Sequence, residues 1–66
     1  MKNNIRIQRA ILNITQQQLA EQIGVSRQTI NAMESNKYVP STVLALKIAK
    51  LFGKQVEEIF LLEEED

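Results

Sequence analysis

Between Thr15 and Glu34 the chain has room for two short helices and almost nothing else. Thr15 with Gln18 three residues on is a capping box, in which each side chain satisfies a backbone N–H at the start of a helix. Ile14, just before the cap, is placed to staple onto Leu19. The helix so opened runs from Gln16 to Ile23 and meets Gly24, which takes the left-handed conformation that ends helices. Val25 plugs the corner, and Ser26 caps a further helix from Arg27 to about Ser35. With Leu19, Ala20, Ile23, Val25, Ile30 and Met33 facing inward, two helices joined across a three-residue break describe a helix-turn-helix unit.

The flanking segments continue the pattern. Two Gly and one Pro in 66 residues, with apolar residues spaced by three and four, leave hardly any strand signal. The fold class expected is all-α, with five short helices. A first helix should cover about Asn4 to Leu12, with Ile5, Arg9 and Leu12 on one face, and end at Asn13, which tolerates positive φ. Asn36 to Pro40 reads as a loop. Pro40-Ser41 starts a fourth helix that reaches Phe52, faces Leu44, Ala45, Ile48, Ala49 and Phe52 inward, and stops at Gly53. A short fifth helix, about Gln55 to Phe60, adds Val56, Ile59 and Phe60, although Lys54-Gln55 make a weak start for it. Residues 1–60 are expected to form one domain and 61–66 an acidic tail.

Several function classes are disfavoured at once. A chain of this length buries only about 60% of the surface it exposes when unfolded, leaving little room for a ligand cavity beside a core. Without His or Cys, thiolate or imidazole metal sites, thiol nucleophiles and the usual general base near neutral pH are gone. Glu57, Glu58 and the tail acids read as solvated, so the chain is not expected to be an enzyme or to hold a cofactor or metal. The N-terminus lacks the apolar core of a signal peptide, and the longest apolar runs, Val43 to Leu46 among them, are far too short to span a membrane. A reducing, cytoplasmic location follows as the expectation.

The zero net charge hides a division. Residues 1–56 hold all eight basic residues and two of the acids, a charge of +6, and residues 57–66 carry −6. A basic body suits a polyanion, and distribution matters here more than the sum. The acidic end can equally be a solubilising tail.

The run from Thr15 through Gly24-Val25-Ser26-Arg27-Gln28 to Glu34, continued by Lys37-Tyr38-Val39-Pro40-Ser41, Ala45 to Lys50 and Glu57 to Phe60, resembles the phage repressor/Cro-like (XRE-type) helix-turn-helix family of transcription regulators. The resemblance covers Ile5 to Phe60. It implies a five-helix, lambda-repressor-like domain that binds double-stranded operator DNA as a homodimer, and phage repressors are among the standard helix-turn-helix examples. If Ile30 and Met33 face inward, Arg27, Gln28, Asn31 and Ala32 lie on the outer face of the third helix. By spacing alone these residues describe a solvated face equally well. The resemblance implies base contact for Gln28, base or phosphate contact for Arg27, and deeper positions for Asn31, a possible base reader, and Ala32, which can meet a thymine methyl. Thr15 and Gln16, at a helix N-terminus, are expected at DNA phosphates, as are Lys37 and Tyr38 in the loop beyond. Lys2 and Arg6 add to the basic face. Arg9 and Glu34 match positions where the family often holds a partly buried salt bridge.

After the core face is assigned, Val43, Leu46, Leu51, Leu61 and Leu62 are left without an internal partner. With Phe60 they make the expected dimer interface, two copies of one patch around a two-fold axis; Leu61 and Leu62 can instead fold back on their own chain. A repressor is preferred to an activator. The alternative from another class is an antitoxin-like or adaptor module that uses the same fold to hold a protein partner.

Overall fold

Each helix starts and stops where a particular residue forces it to. The computed structural model describes all 66 residues as α1 (Ile5–Leu12), α2 (Gln16–Ile23), α3 (Arg27–Glu34), α4 (Thr42–Phe52) and α5 (Val56–Ile59), framed by two short strands, β1 (Lys2–Asn3) and β2 (Phe60–Leu61). The Thr15 capping box forms in both directions, with Thr15 Oγ1 accepting the Gln18 N–H at 3.0 Å and Gln18 Oε1 accepting the Thr15 N–H at 2.8 Å. Ser26 and Ser41 cap α3 and α4 by accepting the N–H of Thr29 and Leu44. Asn13, Gly24 and Gly53 end α1, α2 and α4 in the left-handed conformation, and Asn36 turns the loop after α3 at φ 62°.

Twelve apolar residues from every helix and from β2 fill a single core: Ile5, Leu19, Ala20, Ile23, Ile30, Met33, Leu44, Ile48, Ala49, Phe52, Ile59 and Phe60. Ile14 and Val25 pack against it from the two turns. Ala45 and Val56, expected inward, are only partly buried at its edge.

Several expectations change. The strands were not anticipated: β1 and β2 pair antiparallel, Lys2 opposite Leu61 and Asn3 opposite Phe60, tying the two ends of the chain together. The fifth helix is consequently a single turn, because Phe60 leaves it for β2. Its start is strengthened by Glu58, whose Oε1 accepts the Gln55 N–H at 2.8 Å. Leu12, placed on the buried face of α1 by its spacing, is 46% exposed, since it lies in the last turn, where the chain reverses at Asn13. Ile7 and Ile11 are exposed as well, so α1 enters the core through Ile5 alone. The tail also bends back: the Met1 amino group meets Asp66 at 2.9 Å and Glu63 at 3.1 Å. The hydrogen bonds it donates to the Asp66 and Glu63 carboxylates raise the pKa of the amino group, and that of Asp66 is lowered, chiefly by the Glu63 backbone N–H. No helix is long and apolar enough to cross a membrane.

Candidate nucleic-acid interface

The buried stripe of α3, Ile30 and Met33, fixes what its other side shows. Arg27, Gln28 and Asn31 are exposed together, while Ala32 is half-buried at the edge of that face. Arg27 and Gln28 occupy the first two positions of α3, at the positive end of its dipole. No acidic side chain lies in that first turn.

The start of α2 stands beside this face. Gln16 Nε2 reaches Asn31 Oδ1 at 3.3 Å, so the first residue of α2 touches the middle of α3. With the Thr15 hydroxyl on the Gln18 N–H and the Leu19 N–H on the Thr15 carbonyl, the N–H groups of Gln16 and Gln17 are left for an outside acceptor. Lys37 and Tyr38 are exposed in the loop that follows α3. Their loop is anchored: the Lys37 N–H bonds the Ala32 carbonyl at 2.8 Å, and Asn3 Nδ2 donates to the Met33 carbonyl at 2.7 Å and to Asn36 Oδ1 at 3.2 Å. The role of Asn3, in a two-residue strand with no pattern of its own, had no signal in the sequence.

Beneath the face lies an ion pair. Arg9 Nε donates to Glu34 Oε2 at 2.6 Å and Arg9 Nη2 to Oε1 at 3.1 Å, a bidentate geometry, while Nη1 donates to the Ile14 carbonyl. Gln16 Nε2 adds a third donor to Glu34 at 3.0 Å, and Arg6 Nε lies 3.5 Å away. The Glu34 side chain is only 1% exposed and that of Arg9 15%. Burial pushes the Glu34 pKa upward, but hydrogen bonds from Arg9 and Gln16, the charge of Arg9 and a contribution from Arg6 outweigh it, leaving the carboxyl below its ordinary 4.5. One carboxylate thus joins α1, α2 and α3 directly under the polar face.

Of the apolar residues assigned to an interface, Val43, Leu46, Leu61 and Leu62 are exposed. Phe60 is a correction: it is 7% exposed and belongs to the core, since pairing with Asn3 turns its side chain inward. Leu51 is half-buried and packs against the core. A shallow apolar groove runs beside Leu46, lined by Met1, Val39, Pro40, Ala45, Val56 and the edge of Phe60. Val39, in the loop before α4, is itself exposed.

Residues 5–59 match the sequence family described as Helix-turn-helix. The chain belongs to the XRE-type helix-turn-helix family. Among family members, an uncharacterized HTH-type transcriptional regulator of Methanocaldococcus jannaschii is 53% identical over 66 residues, covering all of both chains. The uncharacterized HTH-type transcriptional regulator YgzD of Bacillus subtilis is 48% identical, again over the whole of both. The HTH-type transcriptional activator BcrR of Enterococcus faecalis is 42% identical over 52 residues, which are 79% of this chain and 26% of that protein. The five helices and the helix-turn-helix at α2 and α3 are those of the family's lambda-repressor-like fold.

Proposed function

We propose that this chain regulates transcription by binding a specific DNA site as a dimer, with α3 of each copy in the major groove. The observation that carries the reading is the exposed face of Arg27, Gln28 and Asn31 with the open N-terminus of α2 beside it. Hydrogen-bonding side chains that match base edges sit next to backbone donors that match phosphate. Arg27, Gln28 and Asn31 read bases, Ala32 meets a thymine methyl from the edge of the face, and Thr15, Gln16, Lys37 and Tyr38 meet the backbone. Occupying a promoter requires no surface beyond this one, which favours repression, in the cytoplasm. Selection from a random DNA library should enrich a palindrome with half-sites one turn, about 10 base pairs, apart. No enrichment, with only weak salt-sensitive retention, would refute specific recognition by this chain alone.

Leu46 in the groove, with the exposed Val43, Leu61 and Leu62, forms the dimer patch. In sedimentation velocity across a concentration series, Leu46→Glu is expected to stay monomeric where the wild type associates. Identical behaviour of the two proteins would remove Leu46 from the interface. The adaptor reading rests on a different observation, the exposed Ile7 and Ile11 one turn apart on α1. It gains weight only if selection finds no motif.

A further inference from the structure

An ionised carboxylate can only accept hydrogen bonds, and this fixes more than its own partners. Glu34 lies buried with Gln16 at 3.0 Å, so the Gln16 amide must turn its nitrogen toward it; the reverse orientation would set a carbonyl against a carboxylate oxygen. The second hydrogen on the same nitrogen goes to Asn31 Oδ1 at 3.3 Å. That in turn orients the Asn31 amide, with Oδ1 held inward and Nδ2 left to face outward.

We propose that Gln16 is a positioning residue that makes Asn31 a hydrogen-bond donor toward the major groove, an inference that rests on the DNA-binding reading above. A free Asn matches adenine by donating to N7 and accepting from N6. With Oδ1 turned toward Gln16 and away from the groove, only the donating half faces the bases, and the matching edge is one that shows acceptors alone: guanine N7 and O6, or thymine O4. The same geometry takes the Gln16 side chain away from phosphate. Both Nε2 hydrogens are used and the remaining Oε1 is an acceptor, so phosphate contact at the start of α2 falls to the backbone N–H groups of Gln16 and Gln17.

The test is library selection with the wild type, Gln16→Ala and Asn31→Ala, each variant first shown by its melting curve to be folded at the assay temperature. The wild type should select guanine or thymine at one position per half-site, and that preference should vanish in Asn31→Ala. In Gln16→Ala the freed Oδ1 should raise adenine relative to guanine at that position by about fivefold or more, with the Gln28-dependent position unchanged. Adenine there in the wild type, no effect of Asn31→Ala, or no change in Gln16→Ala overturns the proposal. Absence of any motif would instead refute the DNA-binding reading, and the positioning geometry is then judged on the free protein by NMR. The Gln16 side-chain amide protons should exchange with solvent more slowly than those of exposed Gln28, and equal rates would overturn it.

Discussion

Glu34→Ala is expected to cost about 3 to 5 kcal/mol of stability, the largest effect of any single substitution on the polar side of the domain. Four facts drive the size: the carboxylate is nearly inaccessible, it holds Arg9 by two hydrogen bonds, it takes a third from Gln16, and it joins three helices. Removing it strands the Arg9 guanidinium, still bonded to the Ile14 carbonyl, in a site that water barely reaches. In a domain of this size that loss approaches the whole folding free energy, so the variant should be largely unfolded at room temperature. Urea unfolding followed by circular dichroism measures it. Replacing both partners, Arg9→Met with Glu34→Leu, should destabilise far less, because no charge is then left unpaired. A loss under about 1 kcal/mol for Glu34→Ala would rank the pair with ordinary surface ion pairs and refute the argument.

The same group has a pH signature. Its pKa in the folded protein lies below the ordinary 4.5, so its contribution is fully present above that value and is lost as pH falls through the folded pKa. Glu34→Gln should therefore remove part of the acid limb of the stability profile while lowering stability near neutral pH.

The helix boundaries were legible because each carries local chemistry: Thr15 with Gln18, Ser26, Ser41, Gly24, Gly53 and Asn13 act on their own neighbours in the chain. What could not be read involves partners far apart. Lys2 and Asn3 have no alternation that marks a strand, and only pairing with Phe60 and Leu61 makes them one. Phe60 continues the helical spacing of Val56 and Ile59 and also adjoins the apolar pair Leu61-Leu62 of the expected interface; the strand pair takes it out of the helix and into the core. Leu12 satisfied the period of α1, but periodicity says nothing of how far along a helix the packing extends. At the candidate site, the exposure of Arg27, Gln28 and Asn31 followed from Ile30 and Met33 being apolar. The pairing of Arg9 with Glu34 came only with the family resemblance, and the link from Glu34 through Gln16 to Asn31 had no signal, because side chains 15 and 18 residues apart meet there through tertiary folding alone.

For Gln28→Ala the expected change is in specificity with the fold intact. Gln28 is exposed at the second position of α3, and unlike Gln16 and Asn31 its carboxamide is committed to no partner in the chain. It can therefore give from Nε2 and accept at Oε1 together, the pattern that matches adenine N7 and N6. Losing that pair should erase about 1 to 3 kcal/mol of discrimination at one base pair in each half-site, and a dimer incurs the loss twice on a palindrome. Binding to unrelated DNA should stay as it was, since no phosphate contact goes, and the salt dependence should keep its slope. Lys37→Ala should do the opposite, weakening all sequences alike and reducing the slope by about one per copy. Competition titrations at two salt concentrations, with the selected site and its single-base variants, separate the two. A Gln28→Ala protein that keeps every base preference would show that α3 does not read the groove through this residue. A uniform loss with a shallower salt slope would move Gln28 to the phosphates, leaving Arg27 and Asn31 as the readers.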